Sequence, residues 1–253
     1  MSRSRLPFAI AIGIAVLAIG GFLTFQQFLA GDSVPALSLA PTARDASATT
    51  EPGVSPTADQ GTSAPVEATP AGVAGTWTVG DGSVVGYRVR EQLGGVTALT
   101  DAVGRTSAIT GSATIEPDGA GVRVTAASFE ADLTQLTSDD GRRDNRIRSI
   151  GAETNRFPTA SFILTGTVSV GAEALAGATV DVALPGDLTI HGVTKSVTIQ
   201  GQARLNGDRI EIVAALTFPF SDFGMTPPSI AGFVQVQDDA TLEVLVSLSK
   251  AGT

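Results

Sequence analysis

The chain has 253 residues, enough for one large β domain with extensions, and a net charge of −9 that argues against nucleic acid, whose phosphates need a basic surface. It holds no cysteine and one histidine. Disulfides, thiolate chemistry and multi-histidine zinc sites are therefore excluded, and the fold must rest on its apolar core.

Phe8 to Phe25 is an apolar run without a charge, and Pro7 to Leu29 supplies the roughly 20 residues a helix needs to span a bilayer. Arg3 and Arg5 precede it, and Asp32 is the first charge after it. The positive-inside rule then leaves the N-terminus in the cytoplasm and everything after residue 30 outside. The alternative is a cleaved signal peptide. Phe28-Leu29-Ala30 puts a large side chain where a cleavage site needs a small one, so a retained anchor is the expectation. Residues 1–30 are read as a cytoplasmic stub and transmembrane anchor. Residues 31–75, rich in Ala, Pro, Thr and Ser and without apolar periodicity, are read as a disordered, extended tether.

Residues 76–253 carry the folded domain, and their pattern has period two. Runs occur at Val84–Val89, Ser112–Ile115, Val122–Ala131 and Val180–Leu184. In Ser161–Val170, the residues Phe162, Leu164, Gly166, Val168 and Val170 share one face. In Arg209–Phe220 the apolar face is Ile210, Ile212, Ala214, Leu216, Phe218 and Phe220, and in Thr241–Leu248 it is Leu242, Val244, Val246 and Leu248. Turn signals such as Asn206-Gly207-Asp208 separate these runs. About eight half-buried strands predict an antiparallel sheet with one apolar face. Closing that sheet into a barrel hides the face and removes the edges, although the pattern alone does not separate a barrel from a sandwich. One segment, Thr137 to Ser149, is charged instead. Ser138 or Asp139 is placed to cap a short helix there.

Three motifs stand out. Asp187 to Lys195 reads D-L-T-I-H-G-V-T-K, two alternating strands meeting at Gly192 with the lone histidine before the turn. Arg143-Asp144 leads into Phe157-Pro158-Thr159, and Ser221-Asp222-Phe223-Gly224 follows late. Their order resembles the YceI-like family of lipocalin-like barrels that bind polyisoprenoid chains, over essentially Thr76 to Leu248. The resemblance implies an eight-stranded antiparallel barrel with a short helical crossover. It also implies an apolar pocket open at one end, holding an isoprenoid lipid such as a polyprenyl lipid or isoprenoid quinone, with no catalysis and no cofactor. The chain departs from the family where Gly82 and Arg146 stand in place of histidines, and where Ile150-Gly151-Ala152-Glu153 replaces an aromatic-rich segment.

On that reading the pocket is lined by Phe162, Leu164, Gly166, Val168, Leu188, Ile190, Ile212, Ala214, Leu216, Phe218, Val244 and Val246. Arg142, Arg143, Arg146 and His191 are candidate head-group contacts. For the arginines, the competing expectation is a solvated helix paired with its own aspartates. His191 is expected chiefly to hold its tight turn by hydrogen bonds to backbone. No G-x-S-x-G elbow accompanies it, and no catalytic or metal-binding residue is assigned. The alternative to a lipid binder is a non-catalytic structural or interaction domain whose barrel core is filled.

Overall fold

The computed structural model describes residues 34–41, 69–93, 99–230 and 234–252. The expected membrane segment and most of the tether lie outside them. No helix among the described residues is long and apolar enough to cross a membrane.

The domain opens with a single-turn helix, α1 (Pro70–Val73), whose preceding Thr69 hydroxyl accepts from the Gly72 N–H. Then β1 (Gly75–Val79) and β2 (Val84–Leu93) form one bent stave, as do β3 (Leu99–Thr106) and β4 (Ile109–Asp118). After β5 (Gly121–Asp132) comes a 3-10 turn at Leu133–Gln135 and the helix α2 (Gly141–Ser149). A third broken stave, β6 (Thr159–Leu164) and β7 (Val168–Val170), is followed by α3 (Ala172–Leu175). Last come β8 (Val180–Ile190), β9 (Val193–Asn206), β10 (Arg209–Pro219), a 3-10 turn at Phe220–Phe223, β11 (Ser229–Ile230) and β12 (Val234–Lys250).

Each stave pairs antiparallel with its predecessor, and β12 pairs with both β1 and β2, so that among the described residues eight staves close into an up-and-down barrel. This settles the barrel against the sandwich. The alternation explains which face turns inward: on β8, Val182, Leu188 and Ile190 are buried, while Asp181 and Ala183 are exposed. The β8–β9 hairpin pairs Ile190 with Val193. His191 and Gly192 therefore form a two-residue loop with φ of +53° and +74°, the primed turn whose twist matches the strands.

Two local expectations are corrected. The strand pattern over Ser161–Val170 is broken at Thr165–Thr167. On the neighbouring β8, Pro185 accepts from the Thr165 N–H at 3.0 Å but has no N–H of its own to continue the ladder. The helix in the charged segment is capped by Asp140, not by Ser138 or Asp139, and its carboxylate accepts from the Arg142 N–H at 2.8 Å.

Among the described residues the interior packs in three apolar clusters, two of which mark the ends of the barrel. At one end Trp77, Ile115, Val122 and Leu248 pack together under α1 and α3, and the Trp77 indole donates to the Val73 carbonyl at 2.8 Å. At the other end Val89, Ile190, Phe218, Phe220, Phe223 and Met225 form the second cluster, beneath α2. The first is the closed end, and the second is the mouth.

Candidate functional site

Inward positions of β2, β3, β8, β10 and β12 converge with α2 and the first 3-10 turn on a cavity of about 300 Å³ at the mouth. Its walls are apolar, from Val85, Val89, Ile190, Phe218, Phe220 and Leu242 among others. The Phe218 and Phe223 rings meet edge to face, 4.8 Å apart, and Phe223 backs the wall that Phe218 forms. A smaller cavity of about 90 Å³ sits at the closed end, lined by residues such as Ile115, Val124, Leu164 and Ile210.

A polar collar rings the mouth. Glu91, Asp140, Arg143 and Arg146 all line the cavity. Arg143 crosses from α2 to β2, where its guanidinium donates to the buried Glu91 carboxylate at 2.7 Å, and it pairs with Asp139 on the outer side. Tyr87 completes the collar. Its ring lies over Gly104 of β3, where any Cβ would collide with it. The Tyr87 hydroxyl is buried and has no hydrogen-bond partner among the described residues. Burial pushes its pKa well above the ordinary tyrosine value, with Arg143 opposing that shift. The phenol therefore stays protonated and can donate one hydrogen bond to an oxygen entering the mouth.

The sequence-derived candidates distribute unevenly. Ile190 and Phe218 line the mouth cavity. Phe162, Leu164, Val168 and Ile212 line the closed-end cavity. Leu188, Ala214, Leu216, Val244 and Val246 line neither. They fall between the two sets on β8, β10 and β12, packed into a waist that divides the interior. Room for Ala214 comes from Gly201 on β9, where a Cβ would stand 2.8 Å from the Ala214 Cβ. Gly166 sits in the break between β6 and β7, against Pro185, and also lines neither cavity.

Of the polar candidates, Arg143 and Arg146 reach the mouth cavity, whereas Arg142 is exposed and does not line it. His191 lies in its hairpin, outside both cavities. Its Nδ1 is 3.2 Å from the Phe223 carbonyl and its Nε2 2.7 Å from the Glu153 carboxylate, with the Phe157 ring 4.1 Å away. Both partners are acceptors, so the ring satisfies them together only when both nitrogens carry hydrogen. The histidine thus staples the β8–β9 turn to the Phe220–Phe223 turn and to the loop after α2. Sequence reasoning missed Tyr87 and Glu91. Glu91 carried a signal: it is a charge at the inward position of a strand that alternates through Val85, Tyr87 and Val89.

The sequence pattern of the YceI-like domain family matches residues 77–248, more than half of the chain. A UPF0312 protein of Pseudomonas putida (strain W619) is 32% identical over 118 residues, covering 44% of this chain and 58% of that protein. A UPF0312 protein of Vibrio cholerae is 27% identical over 127 residues, 47% of this chain and 64% of its own length. These curated relatives are thus matched over only part of their length. Among solved structures, a polyisoprenoid binding domain from Saccharophagus degradans, implicated in plant cell wall breakdown, superposes with a TM-score of 0.50 at 18% identity, over 70% of this chain and 99% of that one. Closed barrel, hairpin register and family pattern agree over the same residues, and the chain belongs to the YceI-like domain family.

Proposed function

We propose that this domain is a non-catalytic binding module that takes an isoprenoid lipid, a polyprenyl lipid or isoprenoid quinone, into the mouth of its barrel. The observation that carries this reading is the apolar cavity of about 300 Å³ entered through a collar of Tyr87, Arg143 and Arg146. Such a site suits a ligand with an apolar tail and one oxygen-bearing head, because the tail contributes about 0.8 kcal/mol for each buried methylene. The Tyr87 hydroxyl and the guanidinium groups offer hydrogen-bond donors to the head. The polyisoprenoid ligand named for the Saccharophagus domain is carried to this chain as a ligand class. Residues 7–29 anchor the chain in the membrane, with the N-terminus cytoplasmic and the barrel outside. The reading places no cofactor and no nucleic acid on the domain.

The packed waist favours a second reading, a structural or interaction domain whose core is filled beyond the mouth. One experiment separates the two. Lipid is extracted from the natively purified protein and identified by mass spectrometry, and binding of a polyprenyl quinone is then compared between wild type and Tyr87→Phe. Recovered isoprenoid, with affinity lowered about fivefold in Tyr87→Phe by loss of a net hydrogen bond, supports the binder. A protein that carries no lipid and binds no quinone refutes it.

A further inference from the structure

Part of the stretch between the expected anchor and the barrel lies on the barrel itself. Val34–Pro41 runs without regular secondary structure across the outer face. Arg88 donates to the Val34 carbonyl at 2.8 Å, Arg105 to the Pro35 carbonyl at 2.6 Å, and Arg204 to the Ala40 carbonyl at 2.6 Å. Leu37 and Leu39 are half-buried.

Beneath the segment lies an ion-pair network that an outer barrel face would ordinarily leave in water. Glu243 alternates with inward Leu242 and Val244, yet is 4% exposed; it accepts from Arg88 at 2.6 Å and from Arg105 at 2.9 Å. Arg204 alternates with inward Ala203 and Leu205, yet is 2% exposed, and pairs with Glu211 at 2.6 Å. Guanidinium groups held this way keep N–H donors to spare, and the backbone carbonyls of the segment accept from them.

The segment has a direction. Arg88 stands between Tyr87 and Val89, which line the mouth cavity. Arg204 stands between Ala203 and Leu205, which line the closed-end cavity. Val34, where the described segment begins, therefore lies on the mouth half of the barrel. Only residues 30–33 separate Val34 from the expected membrane segment, and four residues reach at most about 14 Å. Residues 42–68 connect the segment to Thr69 and add nothing to that distance.

The rim of the mouth has a matching surface. Ile150, directly after α2, is 64% exposed. Arg142, Arg146 and Arg148 precede it on a helix that is basic within a chain of net charge −9. An exposed apolar side chain at the end of an arginine-rich helix suits an anionic lipid surface.

We propose that Val34–Pro41 is a strap that shortens the tether and holds the mouth of the barrel against the bilayer, with Ile150 and the α2 arginines on anionic lipid. The proposal rests on the membrane anchorage stated above. It turns a domain on a long leash into one whose opening faces the phase from which an isoprenoid tail comes, so that the tail passes between bilayer and cavity without crossing open water.

The test uses the full chain in vesicles of phosphatidylcholine and phosphatidylglycerol. The protein has no cysteine, so Ser149→Cys places one fluorophore at the mouth and Asp208→Cys places one at the closed end. Energy transfer to an acceptor lipid is expected to be several-fold stronger from Ser149→Cys. Replacing Val34–Pro41 with Gly-Ser residues of equal length should abolish the difference. A long Gly-Ser spacer inserted between Asp32 and Ser33 leaves strap and barrel intact and should abolish it too, which covers the case in which the strap replacement destabilises the fold. A chain that does not float with the vesicles refutes the anchor and the proposal with it. A chain that floats with equal transfer from both labels, or with a difference that survives the spacer, refutes the strap alone.

Discussion

The two ends of this barrel are made from the same staves, yet they solve different problems. At the closed end, two single-turn helices and Trp77 cover the opening, and Leu248 is only 1% exposed. At the mouth, α2 lies over a larger cavity, and a buried carboxylate and a buried phenol stand among the apolar side chains. An unpartnered buried hydroxyl costs folding free energy, on the order of 1–3 kcal/mol. The closed end shows the packing that supports the fold, and the mouth shows departures from it that a ligand would reward.

Substitutions test that contrast directly. Leu248→Ala should cost the most, about 2–5 kcal/mol, because Leu248 is buried at 1% exposure and borders only the smaller cavity of the closed end. Leu242→Ala, which lines the mouth, should cost less, because one side of Leu242 already faces open space. Equal losses of melting temperature in the two variants would show that the mouth is as tightly packed as the closed end. Ala214→Phe acts at the waist. It is expected to fold, with an overpacking cost of about 1–3 kcal/mol, and to bind polyprenyl lipid more weakly as the added ring crowds the inner end of the mouth cavity. Calorimetry of the variant with and without lipid checks both halves of that statement. A variant that unfolds, beside a wild type that yields no lipid, would mark the waist as solid.

His191→Asn keeps a residue that tolerates left-handed backbone and removes the ring's bonds to Phe223 and Glu153. A loss of about 1–2 kcal/mol is expected, with lipid affinity nearly unchanged because His191 lines neither cavity. Unchanged stability with lost binding would reverse its role. The smallest effect concerns pH. The Arg142 N–H on its carboxylate holds Asp140 below the usual aspartate range. A depressed carboxylate stabilises the folded state above its unfolded pKa of about 3.9, and that contribution is lost as pH falls through the lower folded value. The protection factors of the Arg142 and Arg143 amides should therefore fall in acid before those in β1 and β12 do. Simultaneous loss at both ends would show that the mouth helix has no separate stability.

Much of the barrel was legible in the sequence, because an alternating strand declares its buried face residue by residue. The stripe Ile210, Ile212, Ala214, Leu216, Phe218 and Phe220 is inward throughout. Its division was not legible. Ile212 borders one cavity, Phe218 the other, and Ala214 and Leu216 belong to the waist between them, since the space opposite each side chain is set by staves far away in sequence. Arg142 and Arg146 illustrate the same limit on α2. Helical spacing puts them on one face, whereas the docking angle of the helix turns Arg143, Arg146 and Ile147 toward the cavity.

Period, turn residues and the hairpin motif determined the strands, their inward faces and the antiparallel family architecture, because these depend on neighbours a few residues apart. Tertiary structure alone decided what depends on distant ones. It set the closure of β12 onto β1 and β2, brought Glu153 to His191, and left the Tyr87 hydroxyl without a partner among the described residues. It also laid Val34–Pro41 over the Arg88–Glu243–Arg105 network. The eight residues V-P-A-L-S-L-A-P are too few to declare a buried face by periodicity, and only the arginine donors presented by the folded barrel give their carbonyls a place to bind.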